Sequence, residues 1–315
     1  MLFLNKNFIM ILNLDKSFAP TIMACIDFEM IKFGGGELHI KINPASIPND
    51  TDEVCISNRI QNSDDIMEIL IAKDALERLG YDDIELIIPY VPYARQDRYE
   101  IPGESFTLKV FANIINNVGF SKVTMVDAHS DVTPALIDRS SNVKNHEFVL
   151  KAIRAIMNEA ERIPDNVDEY IRCGQFALIS PDAGANKKIN GVHSYIDKMT
   201  RGIMNPTEFS VPLIKCDKRR NMADGSLGGF EVLANDLKGK TCIIVDDICS
   251  RGGTFMGLAG ALKEKNAGDI YLVVTHWENS ADEEKMKAAG IKKVIKSDSM
   301  NDYSSNFIMN LKLEL

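Results

Sequence analysis

Asp246 and Asp247 stand at the end of the apolar run Ile243, Ile244 and Val245, and Ser250, Arg251, Gly252, Gly253 and Thr254 follow within a few residues. Adjacent carboxylates at the carboxyl end of a strand can accept hydrogen bonds from vicinal sugar hydroxyls or hold a divalent cation. Gly252 and Gly253 let the backbone approach a ligand closely, Thr254 offers a hydroxyl, and the amides opening a following helix point at the same place. Together these groups suit a phosphorylated sugar. An acidic strand end with an ordinary glycine turn has the same composition, so the motif alone leaves both readings open.

Such a site needs a strand before it and a helix after it. Residues 240–245 are β-branched and uninterrupted, which predicts a buried strand, while Phe255, Leu258, Ala259 and Leu262 recur at helical spacing. Similar apolar runs predict strands at 53–57, 84–89, 122–127, 176–180, 241–246 and 270–275. Helical patterns fall between them at 64–79, 108–117, 147–160, 184–196, 255–267 and 281–289, with Gly80, Gly119, Gly268 and Gly290 closing four units. This alternation predicts an α/β chain of mainly parallel sheets flanked by helices. The apolar residues 1–14 predict a first buried strand, and the polar stretch 161–175, with Pro164, predicts a loop. Several strands end in an acid or histidine (Asp127 with His129, Asp182, Asp246 with Asp247), which suggests two similar sheets.

Composition bounds the function. At 315 residues, 45% of them hydrophobic, the chain exceeds one typical core and predicts about two domains. Its net charge of −9, with no basic run, argues against nucleic acid or an anionic membrane as partner. No segment approaches the length of a membrane span. The six cysteines contain no CxxC pair, so neither a zinc site nor a disulfide framework is expected, and reduced thiols point to the cytoplasm.

Four further segments bear on the phosphosugar loop. They are residues 90–98 (Tyr90, Pro92, Tyr93, Ala94, Arg95, Gln96, Asp97, Arg98), 126–129 (Val126, Asp127, Ala128, His129), 180–187 (Ser180, Pro181, Asp182, Ala183, Gly184 onward) and 217–220 (Asp217, Lys218, Arg219, Arg220). With the loop at 246–254 they resemble, in order and at about the same spacing, the signatures of ribose-phosphate pyrophosphokinases, also called phosphoribosyl pyrophosphate (PRPP) synthetases. Weaker likeness runs from about residue 31 to residue 296.

The resemblance implies two similar phosphoribosyltransferase-like domains. Residues 1–146 would form the ATP side, 147–296 the ribose 5-phosphate side, and 297–315 could pack back on the first. It implies ATP contacts from Phe33, Glu37, Arg95, Gln96 and His129. Ribose 5-phosphate or PRPP would be held by Asp182, Asp246, Asp247, Ser250, Arg251, Gly252, Gly253 and Thr254. Mg²⁺ would meet His129 and Asp182, with most of its coordination from substrates and water. Lys218 and Arg220 match the family's catalytic loop cations, and residues 221–229 would form a flap closing over the site. The implied reaction moves an intact diphosphate from MgATP to the C1 hydroxyl of ribose 5-phosphate, in a homo-oligomer whose active sites borrow residues from a neighbouring subunit. Two alternatives remain at this stage, a catalytically silent regulatory homologue and a phosphoribosyltransferase. Ser250 and Arg251 stand where most members carry aspartate and threonine, and Trp277 stands where they usually have glycine.

Overall fold

The computed structural model describes residues 9–18, 24–49, 51, 53–159, 176–201, 211–220 and 227–315. The predicted loop at 161–175 lies outside them. The chain divides into two compact units: Met1–Val143 with Ser299–Asp302 and Leu313–Leu315, and Lys144–Asp298 with Tyr303–Lys312.

The first unit contains β1 (Ile9–Asn13), β2 (Phe28–Lys32), β3 (Leu38–Ile42), β4 (Glu53–Ser57), α1 (Ser63–Arg78), β5 (Ile84–Ile87), α2 (Thr107–Val118), β6 (Lys122–Val126), α3 (Val132–Leu136) and β7 (Ser140–Val143). Five strands form a wholly parallel sheet in the order β1-β4-β5-β6-β7, and β2 and β3 pair as a separate antiparallel hairpin. Local chemistry sets the helix ends. Asn62 and Asp65 close a capping box at the start of α1, and Gly119 ends α2 at φ +77°, where a side chain would be strained. Leu12, Ile56, Leu86 and Met125 from the strands pack with Ile69, Leu76, Phe111 and Ile115 from the helices in a fully buried core.

The second unit contains α4 (His146–Glu159), β8 (Phe176–Ser180), α5 (Asn186–Arg201), β9 (Leu213–Arg220), β10 (Leu227–Val232), β11 (Thr241–Cys249), α6 (Gly253–Glu264), β12 (Ile270–Trp277), α7 (Glu283–Ala288), β13 (Ile291–Ser297) and β14 (Ile308–Leu311). Its seven-stranded sheet runs β10-β9-β8-β11-β12-β13-β14, parallel except where β10 meets β9. The chain leaves β8 toward β9 on one side and returns to β11 on the other. That reversal makes the β8/β11 boundary a topological switch point, where ligands bind beyond the carboxyl ends of open α/β sheets. Among the described residues, the first unit's sheet follows sequence order and has no such reversal.

Two sequence expectations change here. Residues 217–220, predicted as a charged loop, are the end of strand β9, because antiparallel pairing with β10 satisfies their backbone despite the charges. Leu227 and Gly229, predicted as part of a flap, belong to β10, while 221–226 lie outside the described residues.

Gly268 shows how closely the second unit is packed. A Cβ there would meet the Gly239 carbonyl oxygen at 2.3 Å and that of Lys240 at 3.1 Å. A Gly268→Ala variant is therefore expected to lose about 1–3 kcal/mol of stability in urea melts. A midpoint equal to that of the wild type would contradict this packing.

Candidate functional site

The switch point of the second unit is open by construction. β8 pairs with β11 from Thr241 only as far as Ile244, and then turns away through Pro181 and Asp182 into α5. β11 itself does not stop at its acids, as the sequence predicted. It continues through Asp246 and Asp247 to Cys249, because pairing to β12 persists as far as Cys249 with Trp277. The edge of β11 that carries the acids thus faces the gap left by β8.

Five titratable groups gather there. The Asp182 Oδ1 accepts from the Ala185 amide at 3.0 Å, and its Oδ2 pairs with the Lys218 ammonium at 2.5 Å. Asp247, 5% exposed, has Lys188 of α5 at 3.5 Å. Asp246 accepts from the Asp247 amide at 2.9 Å. Burial, reinforced by the negative charges of Asp247 and then Asp182, pushes the Asp246 carboxyl well above the usual carboxylate range. The pair is therefore unequal: Asp247 lies beside a cation, whereas Asp246 resists ionisation. Lys188 did not emerge from the sequence, since a buried ammonium is not what a lysine usually provides.

Beyond Cys249 the chain turns through Ser250 and Arg251. Ser250 lies 3.4 Å from the Ser280 hydroxyl, and Arg251 is exposed. Gly252 caps α6 at φ +75°, and Met286 would crowd any Cβ there, its sulfur at 3.2 Å. Gly253 and Thr254 then open a twelve-residue helix whose first amides have no intrahelical partner, which is the geometry of an anion cradle. Arg220 closes β9; its side chain lies outside the described residues. Burial pushes the Cys249 thiol up to about 12, so thiolate chemistry is not available beside the acids.

In the first unit, the segments after β5 and β6 converge. Arg95, Gln96, Asp97 and Arg98 line a cleft of about 410 Å³ together with Glu100, Glu104, Ser105 and Thr107. Arg98 grips Asp97 in bidentate fashion, with its Nε 2.7 Å from Oδ1 and its Nη2 3.1 Å from Oδ2. This hydrogen bonding holds the Asp97 carboxyl below its ordinary range against the opposing effect of burial, and Ser130 and His129 act in the same direction. Asp97 thus lies within electrostatic reach of His129. Both segments contain a left-handed residue other than glycine, Tyr93 at φ +62° and Asp127 at φ +44°, and such strain gathers at functional sites.

Phe33 and Glu37 stand elsewhere in this unit, in the exposed turn between β2 and β3, closed by the Phe33 amide to the Glu37 carbonyl at 2.8 Å. Phe33 packs against His39 with ring centroids 6.4 Å apart. Among the described residues, neither Phe33 nor Glu37 bonds to Arg95, Gln96 or His129. The same holds for any group of three or more His, Cys, Asp or Glu able to enclose a metal ion: none is present. No helix among them is long and apolar enough to cross a membrane.

Comparison with known proteins places both units. Residues 9–119 match the model for the N-terminal domain of ribose phosphate pyrophosphokinase, and residues 141–307 match the phosphoribosyl transferase domain. The ribose-phosphate pyrophosphokinase of Mycoplasma genitalium is 31% identical over 263 residues, covering 81% of this chain and 69% of that protein. That of Thermosipho africanus is 29% identical over 277 residues, covering 87% and 78%. The crystal structure of phosphoribosylpyrophosphate synthetase from Mycobacterium smegmatis superposes with a TM-score of 0.70 at 21% identity over 96% of this chain and 94% of that one, a likeness of fold. Identity and coverage on this scale, spread over both units, mean that the chain belongs to the ribose-phosphate pyrophosphokinase family.

Proposed function

We propose that the chain transfers the βγ-diphosphate of MgATP to the C1 hydroxyl of ribose 5-phosphate, giving PRPP and AMP. The observation that carries this reading is the 2.5 Å pair between Lys218 and Asp182. It ties a β9 cation to the loop that follows β8, the strand that borders the acid-bearing β11 at the switch point. A phosphoribosyltransferase needs the cradle but has no use for Lys218 or for a cleft lined by Arg95 and Gln96.

In this reading, Asp246 and Asp247 hold the ribose hydroxyls, and the turn from Ser250 to Thr254, with the amides opening α6, holds the 5-phosphate. Arg95 and Gln96 engage ATP, the guanidinium suiting bidentate contact with phosphate oxygens and the amide a base or ribose edge. The C1 oxygen attacks the β-phosphorus in line, the bond from that phosphorus to the α,β-bridging oxygen breaks, and AMP departs with that oxygen. The hydroxyl proton is released. Lys218 and Arg220 stabilise charge on the transferring oxygens, which is the main demand of phosphoryl-type transfer.

Mg²⁺ fits the donors that are present only in part. The carboxylate of Asp182 is a hard oxygen ligand, but both its oxygens are already engaged, and the described residues hold no enclosing cluster. Asp182 and His129 would each meet the ion through the substrate they bind, and when bound it would neutralise phosphate charge. The exposed turn bearing Phe33 and Glu37, which among the described residues bonds to neither Arg95 nor His129, favours a homo-oligomer in which it serves a neighbouring copy.

The test is AMP release from ATP that depends strictly on both ribose 5-phosphate and Mg²⁺, with the diphosphate located on C1 by phosphorus NMR. Absence of such AMP would sink the proposal and favour a catalytically silent homologue, for which Ser250 and Arg251 would be the natural cause.

A further inference from the structure

We propose that Lys188 is a positioning residue for the sugar-binding acids: its ammonium, enclosed behind β11, fixes the Asp247 carboxylate for the ribose diol. The inference rests on the ribose 5-phosphate reading of this site.

The side chain of Lys188 is inverted relative to ordinary lysines. As a whole it is 27% exposed, yet its Nζ presents less than 1 Å² to solvent. Lysines normally lay the stem on apolar surface and keep the charge in water. Here the stem meets solvent and the charge is inside, beneath Asp247 at 3.5 Å. Asn145, Ala185, Ile189, Val192, Val245 and Asp246 wall the remaining space, whose free volume of about 10 Å³ leaves at most a single water to screen the pair.

Neither local structure nor stability accounts for this placement. Lys188 sits in the first turn of α5, where no acidic residue is present and the helix dipole disfavours a cation. A buried ion pair adds little to folding compared with apolar side chains of similar size, because desolvation offsets the attraction. What the pair does provide is register. Lys188 stands six residues after Asp182 on the same loop and helix. Its charge therefore ties the acid on β11 to the loop that follows β8, across the gap where the sugar would lie. A single lysine thus couples the two strand ends that must hold a diol and its neighbouring phosphate at fixed separation.

The inference is tested with Lys188→Met, Lys188→Gln and Lys188→Arg in the full-length protein, each checked for folding by circular dichroism and thermal melting. The neutral variants are expected to raise KM for ribose 5-phosphate roughly tenfold or more, while KM for ATP and kcat stay within about twofold. Lys188→Arg, which keeps the charge, should fall between them and the wild type. A purely structural lysine would instead lower melting temperature and the amount of active enzyme without shifting one substrate's KM. A ribose 5-phosphate KM within twofold of wild type in a folded neutral variant, or an equal rise for both substrates, would overturn the proposal. If both neutral variants fail to fold, Lys188→Arg decides: a selective rise supports the assignment and an unchanged KM removes it. Calorimetric binding of ribose 5-phosphate without ATP keeps the two readings separate. A wild type that binds the sugar phosphate but releases no AMP would defeat the reaction, while the same variants still report on Lys188 through Kd.

Discussion

Replacing Lys218 with alanine is expected to lower kcat about a thousandfold, the upper end of what removal of one preorganised charge-stabilising donor costs. Diphosphate transfer leaves the protein little covalent work, so the rate depends on cations held where charge develops on the transferring oxygens. Lys218 stands two residues before the end of β9 with 29% of its side chain exposed, and its partner Asp182 is 24% exposed. A partly solvated pair of this kind contributes no more than about 1 kcal/mol to folding. The melting temperature should therefore fall by at most about 4 °C, as expected for such a change in a unit of this size. KM for ATP should change far less than kcat, because the Arg95 cleft is not touched, whereas KM for ribose 5-phosphate should shift modestly as Asp182 loses its partner. Single-turnover AMP release and a thermal melt on the same preparation check both halves. Turnover unchanged by the substitution would remove Lys218 from the mechanism, and a large loss of stability would mean that its pairing to Asp182 is structural.

The sequence made some of this site legible and left other parts hidden, for physical reasons. β4 and β8 coincide with their predicted spans, because central parallel strands are buried on both faces and show as unbroken apolar runs. α1 lies within one residue of its expected span, since Asn62 and Asp65 announce its start and Gly80 follows its end. The strand carrying Lys218 was invisible to that logic. Leu213–Arg220 is charged over its second half, and its strand character comes from pairing with β10, which only the folded chain supplies. The extension of β11 past Asp246 has the same origin in pairing with β12. β13, with three lysines in seven residues, was missed likewise. The resemblance named Asp182 and Lys218 separately, but their ion pair is tertiary information. Lys188 is the clearest case, because nothing in a sequence says that a lysine will turn its ammonium inward.

An Asp246→Asn variant is expected to melt above the wild type at neutral pH while binding ribose 5-phosphate more weakly. Burial and the adjacent Asp247 raise the Asp246 pKa in the folded chain above the ordinary value of 3.8. A raised acid contributes its stability fully below the unfolded pKa and loses it as pH climbs toward the folded one, at about 1.4 kcal/mol per unit of pH within that window. Asparagine occupies nearly the same volume and does not titrate. The stability difference between variant and wild type should therefore be smallest near pH 4, widen as pH rises, and level off above the folded pKa, which urea melts at a series of pH values can follow. Parallel pH profiles for the two proteins would mean that Asp246 ionises freely and that the acid pair carries no strain. The binding arm follows from the same chemistry. A carboxyl crowded by Asp247 and Asp182 gains partners when sugar hydroxyls arrive, so ribose 5-phosphate should raise the melting temperature of the wild type more than that of the variant. Stability given up by the empty site would then reappear as affinity for the diol, which is the behaviour expected of acids retained for binding rather than for folding.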